Sequence, residues 1–331
     1  LRARLLLAVL ALAAGGACNT KPGVADAAPP ALPTPAPSAP SAAATPTATA
    51  PAPSTAPSTA TLASTSAPAA RPYELHIPAG WDHTHPAPLV LFFHGYGGRG
   101  ATAAGQIQLQ AFADAKGFVL ATPDGTVDAQ GSRFWNATDA CCDLQGRGVD
   151  DVAYAKWILD DVASQLPIDP KRVYAVGHSN GGFMALRLAC DLSTRIAAAV
   201  SLAGAGWKDD TKCRPKQPVS VLQIHGDADG TVHYGGGVLF DLPGRAYPGA
   251  VATVTSFAVK DRCTGSLTPT GAPLDFDVSV PGPDTTRAEF AGCPAGISVS
   301  LWTVAGGSHF ALPTPAGLSA LWAWMAAHPK P

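Results

Sequence analysis

The chain has 331 residues, a formal net charge of −2 and only 14% charged residues. That balance gives no basic surface, which argues against nucleic acid as a partner and against anionic lipid held by charge alone. Twelve of its 32 prolines fall within residues 1–70, a denser share than in the rest of the chain, and this bias divides the chain into a leading part and a folded part.

Arg2 and Arg4 precede an apolar run over residues 5–14, followed by Gly15, Gly16, Ala17 and Cys18. A basic start, an apolar run too short to span a bilayer comfortably and then small residues read as an export signal over 1–18. The small residues before Cys18 resemble a bacterial lipoprotein cleavage site, at which Cys18 is lipidated and opens the mature chain; simple secretion is the alternative. Residues 19–70 are almost wholly Ala, Pro, Ser and Thr. Such a segment cannot bury enough apolar surface to offset chain entropy, so it is expected to be a disordered tether. Residues 71–331 suffice for one catalytic domain with a large core.

Besides Cys18 there are six cysteines, Cys141, Cys142, Cys190, Cys213, Cys263 and Cys293. An even number on an exported chain predicts disulfides, and no C-x-x-C spacing suggests zinc. Fifteen pairings are possible; the most local joins Cys190 to Cys213 and Cys263 to Cys293, leaving Cys141 with Cys142.

In chain order, residues 72–78 read as an opening strand. Residues 81–88 read as a loop whose Asp82, His83 and His85 are polar surface rather than metal ligands. Residues 89–93 form a continuous apolar run, as in a strand buried on both faces. It ends in His94-Gly95-Tyr96-Gly97-Gly98, where glycines let backbone amides turn toward a reacting oxygen. Residues 101–116 read as a helix and 118–122 as a second buried strand. A long irregular segment, 126–149, carries Trp135 and the adjacent cysteines; loops of that length inside a compact domain are commonly functional. Helical spacing returns at 151–166, with Val152, Ala155, Ile158, Leu159 and Val162 on one side and Pro167 as the stop. Short apolar strands follow at 196–202, 219–224 and 299–304, and a closing helix at 315–327. Strands alternating with helices predict an α/β fold, a mostly parallel central sheet with helices on both faces.

The chemistry centres on 173–190, VYAVGHSNGGFMALRLAC. An apolar strand enters Gly177-His178-Ser179-Asn180-Gly181-Gly182, and a helical pattern leaves it. A strand-to-helix turn of this kind holds its central serine in a strained conformation, with glycines beside it to avoid clashes and the hydroxyl raised above the sheet. Ser179 is therefore the candidate nucleophile. A serine hydroxyl needs a base, and the base an acid. Strand 219–224 runs into His225-Gly226-Asp227-Ala228-Asp229, and strand 299–304 into Ala305-Gly306-Gly307-Ser308-His309. His309 is the better base, because His233 shares the loop of the acid. Asp227 and Asp229 are both open as the acid on these grounds. The order Ser, Asp, His is that of α/β-hydrolases.

HGYGG, WNA with CC and VDDV, DPKRVYAVG, GHSNGGFMA, HGDADGTVHYGGG and GGSHF, in that order, resemble the secreted esterases grouped with polyhydroxybutyrate depolymerases and feruloyl esterases. The resemblance runs from about Tyr73 to about Phe310 and implies an α/β-hydrolase fold. It implies Ser179 as nucleophile, Asp229 as acid, His309 as base, and the amides of Tyr96 and Asn180 as the oxyanion hole. Two positions depart from the family pattern: Asp227, where a small or hydroxyl residue is usual, and Phe310, where a polar residue is common. Trp135 and His178 are candidate substrate-binding residues, with Trp207 and Tyr96 as further aromatic wall. The expected activity is ester hydrolysis through an acyl-enzyme, on feruloyl or related plant cell-wall (xylan) esters, with polyhydroxybutyrate or its oligomers as the alternative. A catalytically inactive binding module at the cell surface is the alternative of another class. The expected partner is an ester, polysaccharide-borne or soluble; no metal or organic cofactor is called for, and membrane contact is expected only through lipid on Cys18. The expected location is extracellular or anchored at the cell surface.

Overall fold

A strand buried on both faces carries mostly apolar side chains, and four segments of this chain are buried along their whole length. In the computed structural model, which describes residues 59–60 and 71–331, these are β3 (Ala87–Phe93), β4 (Val119–Pro123), β8 (Ala198–Leu202) and β9 (Ser220–Gly226), every residue of which is buried. Before them come β1 (Thr59–Ala60) and β2 (Tyr73–His76). Between β3 and β4 lie α1 (Gly100–Gln106) and α2 (Leu109–Lys116). After β4 the chain forms a small hairpin of β5 (Thr126–Val127) and β6 (Arg133–Phe134), then α3 (Asp151–Gln165), β7 (Ile168–His178) and α4 (Asn180–Asp191). Past β9 come the hairpin of β10 (Gly236–Val238) and β11 (Ala246–Pro248), then α5 (Ala250–Lys260), β12 (Leu267–Pro269), β13 (Thr285–Phe290), β14 (Val299–Val304) and α6 (Pro315–Ala326).

The main sheet has the order β1-β2-β4-β3-β7-β8-β9-β14-β13-β12. The centre, from β4 to β14, is parallel, and both edges are antiparallel. Period-two alternation assigns neighbouring side chains to opposite cores. Leu89, Leu91 and Phe93 join one core with Tyr154 and Ile158 of α3, Phe183 of α4 and Phe257 of α5. Val90 and Phe92 join the other with Ala104 of α1, Ala113 of α2 and Leu321 of α6. Three helices therefore cover each face, and the carboxyl ends of the parallel strands gather at one rim, where α/β sheets carry their sites.

Three expectations are revised. The helix expected at 101–116 is two helices, because Gln108 takes a left-handed conformation (φ 54°) that redirects the chain and lets Leu109 reach the core. Thr59–Ala60, inside the expected tether, adds an antiparallel strand to β2; ladder pairing uses backbone groups and does not require apolar side chains. The hydrophobic pattern left residues 236–290 unassigned, yet they hold α5 and four strands. In α5, Val251, Thr253, Val254, Thr255 and Val259 are β-branched, a composition with weak helix propensity. The export signal and Cys18 lie outside the described residues. The six other cysteines form Cys141–Cys142, Cys190–Cys213 and Cys263–Cys293.

Candidate active site

The turn at Ser179 follows from what its neighbours lack. Ser179 sits between β7 and α4 with φ 55° and ψ −122°, a conformation L-residues rarely hold without surrounding support. A Cβ on Gly177 would lie 2.1 Å from the Gly181 carbonyl oxygen, and one on Gly181 would lie 1.9 Å from that of Phe93. Only glycine permits this close approach of the turn to itself and to β3.

His309 and Asp229 arrive from the ends of β14 and β9, which pair in register. A Cβ on Gly226 would lie 2.1 Å from the Gly307 carbonyl oxygen, so their loops touch as backbones. His309 Nδ1–H donates to Asp229 Oδ2 at 2.7 Å, which leaves Nε2 to accept from the Ser179 hydroxyl at 2.8 Å. Asp229 Oδ1 accepts from the amides of Thr231 and Val232 at 2.8 and 2.9 Å. Burial opposes its charge, but hydrogen bonds from His225 and His309 outweigh it and hold the carboxyl well below the usual carboxylate range.

The geometry separates the two aspartates that sequence left open. Asp227 Oδ1 accepts from the Gly306 amide at 2.6 Å and ties the two loops together; it does not meet His309. His233 is exposed. His225 is buried, accepting at Nδ1 from Gln223 (3.0 Å) and donating from Nε2 to the Val232 carbonyl (2.7 Å), with Asp229 Oδ2 3.3 Å away.

Tyr96 and Asn180 flank Ser179 from two sides. A Cβ on Gly95 would lie 3.3 Å from that of Ser179, so the chain leading to Tyr96 runs directly beside the serine. Asn180 opens α4, where helical amides have no intrahelical acceptor. Among the described residues neither amide donates to a protein acceptor.

His178 is half-buried. Its Nε2–H donates to the His309 carbonyl at 2.7 Å, and burial pushes its pKa down to about 4, so it is neutral in ordinary buffers. Its ring packs against that of Phe310, centroids 5.0 Å apart, and both line a narrow slot of about 60 Å³ with Gly95, Ile107 and Leu312. Phe310 is 67% exposed beside His309.

Trp135 is a correction. It is fully buried and offers no face to a ligand. Its backbone amide donates to Asn180 Oδ1 (2.8 Å), its carbonyl accepts from Asn180 Nδ2 (2.9 Å), and its indole N–H donates to the His94 carbonyl (2.9 Å). Trp207 is nearly buried against Arg187, and the Tyr96 hydroxyl donates to Asp128. Sequence reading missed His94 as an organising residue. The Gly125 amide donates to its Nε2 (2.9 Å), so Nδ1–H donates to the Gly95 carbonyl (2.7 Å); burial lowers its pKa and keeps it neutral. Its place at the end of a buried strand was the available signal.

Residues 82–241 match the model of a family described as Phospholipase/Carboxylesterase. Feruloyl esterase B of Piromyces equi is 30% identical over 70% of this chain, and the chain spans 41% of that protein's length. A putative esterase, NocK, of Nocardia uniformis subsp. tsuyamanensis is 33% identical over 72% of this chain and 70% of its own length. Among solved structures, an acetyl xylan esterase from Aspergillus awamori matches 82% of this chain and 99% of its own, with 14% identity and a TM-score of 0.57, which speaks for the fold. With that likeness on a fold whose central strands bring a serine, a histidine and an aspartate into one hydrogen-bonded line, the chain belongs to the esterases of the α/β-hydrolase superfamily and is a carboxylic ester hydrolase.

Proposed function

We propose that this esterase works through an acyl-enzyme on Ser179. The observation that carries the reading is the unbroken line from Asp229 Oδ2 through His309 to the Ser179 hydroxyl, 2.7 and 2.8 Å. His309 Nε2 takes the hydroxyl proton as Oγ adds to the ester carbonyl carbon. The carbonyl electron pair becomes an oxyanion, which the Tyr96 and Asn180 amides receive. Each such donor contributes about 3 kcal/mol to the transition state. The oxyanion collapses, the alkoxide leaves with the proton from His309, and water repeats the sequence to release the acid. Asp229, ionised throughout, holds the imidazole tautomer and offsets its charge.

The substrate class we assign is an aromatic ester of feruloyl type, soluble or polysaccharide-borne. Relatives named feruloyl esterase support it, as does the exposed ring of Phe310 beside the base. We read export from the arrangement of residues 1–18, with lipid on Cys18, the stretch from residue 19 up to the strand at Thr59 as tether, and residues 71–331 as the catalytic domain. The test compares methyl ferulate with a 3-hydroxybutyrate trimer, using Ser179→Ala as the blank. Ferulate turnover absent from the blank is expected. Turnover of the trimer alone overturns the substrate class, and turnover that survives Ser179→Ala overturns the mechanism.

A further inference from the structure

We propose that Trp135, joined to the Asn180 carboxamide, is a positioning residue that sets the spacing of the two oxyanion donors, although it lies beneath the reacting centre. The proposal rests on the reading of Ser179 just given. The donors come from separate segments, Tyr96 after β3 and Asn180 at the start of α4. Two amides stabilise one oxygen only if their separation is held to a few tenths of an ångström before reaction. The ladder between β3 and β7 gives coarse placement, but its last pair is Phe93 with Gly177, before either donor.

Past that point one residue of the irregular segment bridges both sides. The Asn180 carboxamide and the Trp135 backbone exchange two hydrogen bonds, 2.8 and 2.9 Å, in a closed ring that fixes the first residue of α4. From the same residue the indole N–H reaches the His94 carbonyl, two residues before Tyr96. His94 passes the constraint on through its own bond to the Gly95 carbonyl (2.7 Å), and the Gly97 amide returns to the segment at the Arg133 carbonyl (2.8 Å). Trp135, Asn180 and His94 are each fully buried, so water does not compete for these groups. The Trp135 ring meets Phe93 edge to face, centroids 5.1 Å apart. A tryptophan that only filled space would be satisfied by any indole acceptor. This one binds the segment of one donor with its side chain and the residue of the other with its backbone.

Two variants of the full chain test this. Trp135→Phe removes the indole N–H and keeps the backbone ring with Asn180. Asn180→Ala breaks that ring from the other side and leaves the aromatic packing intact. The readouts are kcat and KM on 4-nitrophenyl acetate, the inhibition constant of a trifluoromethyl ketone and the melting temperature. Ser179 Oγ adds to the ketone carbon, its proton passes to His309, and the carbonyl pair becomes an oxyanion at the same donors. We expect kcat to fall about tenfold for Trp135→Phe at nearly constant KM, and ketone affinity to fall by the same factor. Asn180→Ala should give the same signature with a larger loss. Wild-type kcat and ketone affinity in whichever variant folds overturn the proposal, as does a loss that only follows the unfolded fraction. Wild-type turnover that survives Ser179→Ala removes the reading of Ser179, and the proposal with it.

Discussion

The parallel strands and the irregular segment 126–149 meet at Ser179 and are built on different principles. The strands carry the groups that line up for reaction, and their placement comes from ladder pairing: β14 runs beside β9 in register, so the loops of His309 and Asp229 start level. The segment carries none of the three side chains in the hydrogen-bonded line, has only two short strands, and is held by side chains. The Asp151 carboxylate accepts from the Asn136 amide (2.6 Å), Asn136 Nδ2 donates to the Val149 carbonyl (2.9 Å), and Arg245 donates to the carbonyls of Asp139 and Asp143. Regular backbone pairing can place reacting residues wherever a strand ends. Backbone that must cross a buried region without a ladder needs a dedicated partner for each polar group.

The sharpest test of the strand-borne half sets its two aspartates against each other. Asp229→Asn should reduce kcat on 4-nitrophenyl acetate by about 10⁴-fold, because the amide no longer fixes the imidazole tautomer. Asp227→Asn keeps an acceptor for the Gly306 amide and removes only the charge from that tie, so it should cost less than about tenfold. Equal losses would erase the distinction between a group in the reacting line and one that braces it.

The matching test of the segment is Asp151→Ala. Asp151 is 1% exposed, ion-paired with the buried Arg71, whose guanidinium lies 4.0 Å from the Tyr154 ring centroid. Burial raises the carboxyl's pKa, and Arg71 and the Asn136 amide act against it. Removing the carboxylate leaves Arg71 buried without its partner, a loss of about 3–5 kcal/mol by urea denaturation. Activity per folded molecule should fall too, since Asn136 adjoins Trp135. Unchanged activity would mean that the segment closes the core and does nothing for the site.

A smaller effect concerns Phe310, which belongs to neither half. Its ring stands beside His309 and faces the slot against His178. Phe310→Ala should lower kcat/KM for methyl ferulate about tenfold and that for 4-nitrophenyl acetate less than about twofold. Parallel losses on both esters would assign the ring to the support of His309.

What could be read from sequence divides along the same line. The buried strands, the turn at Ser179 and the loops of Asp229 and His309 were legible because each couples an apolar run to glycines and polar residues at its carboxyl end. The choice between Asp227 and Asp229 was not legible from spacing, as it depends on which carboxylate the Gly306 amide captures. Trp135 was legible as an aromatic in a suggestive place but was assigned to substrate, because burial of an irregular segment leaves no period to read. α5 was hidden by its β-branched residues and by lying on a face that only the tertiary fold defines.

The smallest expected effect concerns stability alone, at Asp261. This residue ends α5 and accepts from the Val219 amide at 3.2 Å, just before β9. Burial pushes its pKa from 3.8 up to about 7, against the Val219 hydrogen bond and the charges of Lys330 and Lys260. Between those values the folded chain keeps a proton that the unfolded chain releases. Stability from this group is therefore complete below about pH 4, declines as pH rises and is lost above about 7. Asn in its place keeps the acceptor for Val219 and removes the titration. Asp261→Asn should raise the melting temperature by about 3 °C at pH 8 and change it by less than about 1 °C at pH 4. Because a ladder, rather than side chains, places His309 and Asp229, kcat should stay at the wild-type value at both pH values. A change in kcat would mean that the strand-borne half transmits local strain to its loops, and the contrast between the two halves would weaken.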